Sequence, residues 1–190
     1  MDHADPSRRS VQPGDQAQPA VGSVICGATR PEQIAANVAG IMNYLRQQNP
    51  NTIVTSSGDN QGGSAFISFI SDDKYTMDFL NAMGTDGSAV GNHEFDQGFA
   101  DLTGRIDASS DFPILGANVY AKGTTTPAMQ EYEVFTVNGV TIGVVGAVTQ
   151  ETASLVAPGG IQGVMFTNPV DAVNDVAAQL SDGDDANGEA

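Results

Sequence analysis

Between residues 52 and 120 the chain repeats one order. A short run of β-branched or small apolar residues gives way to a polar loop, and the loop to a segment with apolar residues at helical spacing. The runs are Thr52-Ile53-Val54-Thr55, Ser88-Ala89-Val90 and residues 114–120. Helical patterns fill the gaps over residues 64–70, 75–83 (Met77, Leu80 and Met83 inward) and 97–106 (Phe99, Leu102 and Ile106 inward). Parallel strands need a long crossover, usually a helix, so this alternation predicts an α/β fold with a largely parallel sheet. Ligands of such sheets bind beyond the carboxyl ends of the strands, which directs attention to the loops after the first two runs.

The flanking segments are read in the same way. Residues 1–28 are broken by Pro6, Pro13, Gly14, Pro19 and Gly22 and are expected to be an extended or disordered segment. Thr29 and Glu32 form a capping box for a helix with Ile34, Val38, Ile41, Met42 and Leu45 on its apolar face. Asn138-Gly139, between residues 131–137 and 140–148, predicts a hairpin. Residues 149–166 read as a loop, and Asn168-Pro169 opens a last helix with Val170, Val173, Ala177 and Leu180 on one face. The expected domain covers residues 29–181, followed by an acidic tail at 182–190. A doubly wound sheet would continue with another strand after that helix, so the domain is expected to be incomplete.

Charge narrows the function. Seven basic residues against 23 acidic ones leave a net charge of -16, which disfavours a nucleic-acid polymer as partner. Any phosphate site in such a field needs bound cations to reverse the local sign. No apolar run is long enough for a membrane span. The N-terminus shows no export signal, so the chain is cytoplasmic or its signal lies outside this sequence. Cys26 is the single cysteine; it is a small buried apolar residue or, less typically, a reactive thiol.

The first loop contains Gly58-Asp59-Asn60 and the second Gly91-Asn92-His93-Glu94-Phe95-Asp96. Taken alone, Gly-Asp-Asn is a turn signal, and Asn-His-Glu reads as a helix cap with surface charges. Gly62-Gly63-Ser64 reads as a phosphate cradle or as a flexible turn. At two neighbouring strand tips, however, the Asp59 carboxylate and the Asn92 amide are oxygen ligands for divalent cations. Two such ions, about 3.5–4 Å apart, clamp an in-line phosphoryl transfer. His93, with Asp96 on its second ring nitrogen, can then hold a proton beside the developing charge. Asn60 and Glu94 are assigned to the supporting layer.

These two strings resemble the calcineurin-like metallophosphoesterases, most closely their bacterial 5′-nucleotidase branch. The likeness extends over roughly residues 50–180, including Phe112-Pro113-Ile114-Leu115-Gly116-Ala117-Asn118-Val119. It implies a partial metallophosphoesterase α/β sandwich of mixed, mostly parallel sheets flanked by helices. It also implies two divalent ions, with Mn, Zn, Mg, Ca and Co undistinguished. Asp59 would bridge the metals, Asn92 would be a ligand, and His93 with Asp96 would form the catalytic dyad. The implied substrate is a nucleotide or another phosphoester, and the implied location is extracellular, periplasmic or cell-wall associated. A nucleotide-sugar hydrolase or cyclic-nucleotide phosphodiesterase of the same superfamily is an alternative.

The sequence departs from the family in three ways. The family's first-strand Asp-x-His has no counterpart except the adjacent Asp2-His3, no histidine follows His93 in this sequence, and the substrate-binding domain is not expected within these residues. The chain alone is therefore expected to bind metal weakly and to hydrolyse little, or to be an inactive α/β module. An exposed sheet edge would favour self-association.

Overall fold

The computed structural model describes residues 31–184 and residue 190. The expectations for residues 1–28, for Thr29, Cys26 and Asp2-His3, and for the Glu32 side chain fall outside the described residues. Contacts divide the chain into two units, with the boundary after Gln48. In the first, helix α1 spans Pro31–Gln48 as the apolar spacing predicts. Of its expected face, Ile34 and Leu45 are exposed and Val38, Ile41 and Met42 half-buried.

The second unit carries the site. Strands β1 (Thr55–Ser56), β2 (Gly87–Ala89) and β3 (Ile114–Leu115) form one parallel sheet in the order β1-β2-β3. Thr55 pairs with Gly87 and Ser88 with Ile114. The crossover to β2 runs through α2 (Phe66–Phe69) and α3 (Lys74–Met83). The crossover to β3 runs through α4 (Phe99–Asp101), a π-helical turn at Leu102–Ile106, and α5 (Asp107–Ser109). This βαβαβ order is the one the alternation predicts.

Several elements depart from the expected bounds. The first strand is shorter than 52–55, because Val54 donates to the Asp86 carboxylate (2.7 Å) and accepts from the Asp86 amide (2.8 Å). The apolar stretch at 64–70 forms only one helical turn and is not a core segment. Phe66 and Ile67 are 77% and 73% exposed.

The expected strand at 114–120 is two strands in different sheets. The chain leaves the parallel sheet at Gly116 and re-enters a ladder as β4 (Val119–Ala121). Between them the fully buried Asn118 side chain donates to the carbonyls of Val148 (2.8 Å) and Thr167 (2.9 Å) and accepts from the Val148 amide (2.9 Å). One amide thereby closes three chain segments, which satisfies polar groups that would be costly to bury unpaired.

The partner of β4 is β7 (Val164–Phe166), antiparallel, inside the stretch read as loop; α6 (Thr152–Leu155) precedes it. Strands β5 (Tyr132–Val137) and β6 (Val140–Val145) form the expected hairpin. Its turn residues Asn138 and Gly139 have φ of 51° and 80°, the left-handed pair that a two-residue hairpin turn requires.

Helix α7 (Pro169–Gln179) starts where expected, with the Asn168 side chain accepting from the Val170 amide at 2.9 Å. Its buried stripe is Ala172, Val176 and Leu180, packed with Tyr132, Val134 and Val145. Val170 is 64% exposed, and of the expected face only Leu180 is buried. The stripe follows i, i+4, i+8 down the side facing the hairpin, so the expected face at Val170, Val173 and Ala177 is rotated away from the observed one at Ala172 and Val176.

The main core gathers Met77, Val90, Phe95, Leu102, Ile106 and Phe166 among others. Phe95 is its hub, fully buried and edge-on to Phe166 with ring centroids 5.1 Å apart.

Candidate active site

The two loops expected to carry chemistry follow β1 and β2, which are hydrogen-bonded neighbours, so both emerge at one edge of the sheet. Their approach is close enough to exclude side chains. A Cβ on Gly58 (φ +88°) would lie 2.4 Å from the Gly91 nitrogen, and one on Gly91 would lie 2.1 Å from Asp59 Oδ1. The Asp59 carboxylate therefore rests against the bare backbone at the tip of β2. It accepts there from the His93 amide at 3.0 Å. Asp59 itself is left-handed (φ 54°), a conformation short polar residues tolerate.

The buried Glu94 ties the loops together. Its Oε2 accepts from the amides of Gly91 (2.7 Å) and Asp59 (2.9 Å), and its Oε1 from those of Asn60 (2.6 Å) and Gln61 (3.2 Å). Two further carboxylates continue the series. Asp73 Oδ2 accepts from Gly62 (2.9 Å) and Asp96 Oδ2 from Gly63 (3.1 Å). Five consecutive amides, 59 to 63, thus end on protein carboxylates. A glycine-rich loop of this kind can cradle a phosphate with its amides; here the Gly62 and Gly63 amides are already engaged, so of the two readings of Gly62-Gly63-Ser64 the turn before a helix holds and the phosphate cradle does not.

Asn60 faces inward, its side chain accepting from Ser56 Oγ (2.6 Å) and donating to Ser88 Oγ (2.8 Å) across the two strands. Behind the loop, the buried Gln61 accepts from Arg105 (2.9 Å), which is also held by Asp101. Burial pushes the Asp73 carboxyl up, but the Ser64 and Ser68 hydroxyls, the Gly62 amide and the Arg105 charge outweigh it and hold it below the ordinary aspartate value. The bracing by Asp73 and Arg105 was not read from the sequence. The contacts join residues 11 and 44 positions apart, and no spacing rule links them.

His93 stands on the 3-10 turn His93–Phe95, whose Phe95 is sunk in the core. The anchored phenyl leaves Asn92 and His93 at the rim, both half-buried. Nδ1 of His93 meets Asp96 Oδ2 at 2.9 Å. The Asp96 hydrogen bond, with the nearby charges of Asp96, Asp59 and Glu94, raises the imidazole pKa above 6.5, against a smaller opposing effect of burial. The structure thus brings Asp59, Asn60, Asn92, His93, Glu94 and Asp96 to one sheet edge. Asn92 lies between Gly91, whose bare Cα lets Asp59 approach, and His93, whose amide Asp59 accepts from.

The pairing of two strand-tip loops around one carboxylate and one carboxylate-backed imidazole can be set beside known proteins. No family model matches the chain. Curated relatives do: Endonuclease YhcR of Bacillus subtilis is 32% identical over 151 residues, 72% of this chain and 12% of that protein. Cell wall protein Lmo0130 of Listeria monocytogenes is 32% identical over 184 residues, 85% of this chain and 23% of that protein. The 5′-nucleotidase of Vibrio cholerae is 31% identical over 136 residues, 72% of this chain and 24% of that enzyme. Among solved structures, the calcineurin-like phosphoesterase YfkN of Bacillus subtilis superposes with a TM-score of 0.65 at 26% identity, covering 79% of this chain and 51% of that one. The chain belongs to the 5′-nucleotidase branch of the metallophosphoesterase superfamily. This 5′-nucleotidase-like chain spans only 12% to 24% of the length of these three curated relatives.

Calcineurin-like phosphoesterases are generally dependent on divalent metals. Asp59 and Asn92 are oxygen donors of the right class, and the Gly91 backbone keeps the Asp59 carboxylate in place. Among the described residues, however, no group of three or more His, Cys, Asp or Glu side chains is placed to hold an ion. The described donors fit part of a metal centre and do not complete one. No described helix is long and apolar enough to cross a membrane.

Proposed function

We propose that this chain carries the dyad and two of the metal ligands of a phosphoester hydrolase site that acts on nucleoside phosphates outside the cytoplasm. The observation that carries the reading is the Asp59 carboxylate seated on the His93 amide, with the His93–Asp96 pair beside it. Asp59 and Asn92 would hold a divalent cation, which supplies charge neutralisation and an activated water when bound. Asp96 orients the imidazole through Nδ1 and leaves Nε2 to present a proton to a phosphoryl or leaving-group oxygen. Asn60 and Glu94 keep the loops in register.

The nucleotide substrate and the external location rest on the relatives, which include 5′-nucleotidases and a cell wall protein. One relative is named an endonuclease; the charge of -16 argues against a polyanionic substrate for this chain. With these two donors, Asp59 and Asn92, among the described residues, metal binding should be weak.

A Mn²⁺ titration followed by amide NMR tests this, with hydrolysis of a nucleoside monophosphate as second readout. Paramagnetic broadening should begin at residues 59 and 91–93 and disappear in Asp59→Asn, and any turnover should require both Asp59 and His93. Broadening centred elsewhere, or turnover indifferent to both substitutions, would overturn the reading. A pair of tight stoichiometric sites would refute the incomplete centre.

A further inference from the structure

We infer that Gly63 is a positioning residue of the dyad: its bare Cα is the floor on which the His93 imidazole lies. The inference deepens the reading above and rests on it for its catalytic meaning. Gly63 is left-handed (φ +54°), and a Cβ built on it would lie 2.7 Å from Cε1, 2.9 Å from Nε2 and 3.0 Å from Nδ1 of His93. Near-equal distances to three successive ring atoms place that point over the face of the imidazole. An approach to the ring edge would leave the two nitrogens well behind Cε1. Contacts this short oblige something to shift, and the atoms met are all in the His93 ring at the end of its side chain, so a side chain at 63 displaces the ring.

The same residue controls the other side of the dyad. The Gly63 amide donates to Asp96 Oδ2 (3.1 Å), the oxygen that meets His93 Nδ1 at 2.9 Å. One glycine thus sets the ring plane through its missing side chain and the carboxylate through its amide. Gly62 prepares this arrangement. Its own Cβ would lie 2.5 Å from the His93 carbonyl oxygen and 2.6 Å from Asp96 Oδ2, and its amide is tied to Asp73. The Asp73 contact ties the loop to a group outside the dyad.

The test uses the whole chain without metal, read by NMR. The sequence has two histidines, so His93→Gln assigns the ring signals. Wild type should show a cross-peak between the His93 ring and one Gly63 α-proton, with that proton shifted upfield by the ring current. Gly63→Ala and Gly63→Asn should both displace the His93 ring resonances. Asn accepts the left-handed conformation, so its failure to rescue assigns the defect to the Cβ and not to backbone strain. Gly123→Ala is the control, since Gly123 is also left-handed (φ +77°) with nothing within 4 Å of a built Cβ.

Where wild type turns over substrate, Gly63→Ala should lower kcat about tenfold or more with KM little changed. A missing ring-to-Gly63 cross-peak, or unmoved His93 resonances in both Gly63 variants, would overturn the inference. If wild type hydrolyses nothing, the metal-free spectra still decide the placement of the ring, and the Mn²⁺ broadening at residues 59 and 91–93 decides the hydrolase reading separately.

Discussion

At the scale of single residues, the contact between His93 and Asp96 bears on the protonation of the ring. Asp96 accepts from the ring, and the surrounding carboxylates favour the imidazolium, so the folded pKa stands above 6.5. A raised histidine pKa contributes stability that is fully present below the unfolded value of about 6.5 and is lost as pH rises through the folded value. The contribution is small, because the His93 side chain is 41% exposed and water screens the pair. Asp96→Asn should therefore lower the His93 pKa measured by NMR titration while changing the melting temperature little. An unchanged His93 pKa in that variant would show that Asp96 does not govern the ring.

At the scale of elements, the joint between the β1 and β2 loops matters more than either loop. Glu94 accepts four backbone amides from the two of them. Glu94→Ala would leave those donors, of which Gln61 and Gly91 are buried, without that partner, and each buried donor left unsatisfied costs about 1–3 kcal/mol. Urea unfolding should show that loss, and hydrogen exchange should show residues 59–61 and 91 opening first; full protection of those amides in the variant would contradict the role. The sequence made β1, β2 and the two loops legible, because β-branched runs, glycines and helical spacing are local signals. Asn138-Gly139 was legible for the same reason. What was not legible depended on partners far along the chain. Residues 114–120 look like one strand until Asn118 is seen to bond Val148 and Thr167. Val164–Phe166 is too short to announce a strand without β4 beside it. The site showed a similar split: Asp59, Asn92, His93 and Asp96 stand in two compact strings, whereas Asp73, Arg105 and the floor at Gly63 emerge only when the strings are folded together.

At the scale of the whole molecule, a charge of -16 and a loop whose amides are filled point the same way. Neither the long-range field nor the amides of residues 59–63 offer an anion a place to bind. Inorganic phosphate should leave the melting temperature of the metal-free protein unchanged at low ionic strength, and should raise it only once Mn²⁺ is present. A phosphate-dependent rise without metal, seen in a thermal melt, would reveal a cationic pocket that the described residues do not form. The seat of Phe95 has a different consequence. The ring beside Phe166 is the keel of the turn that carries His93, so the reactive rim inherits its alignment from the oily interior. A substitution at Phe166 should therefore move the His93 ring resonances even where the protein still folds, tying the chemistry of the rim to the packing of the core.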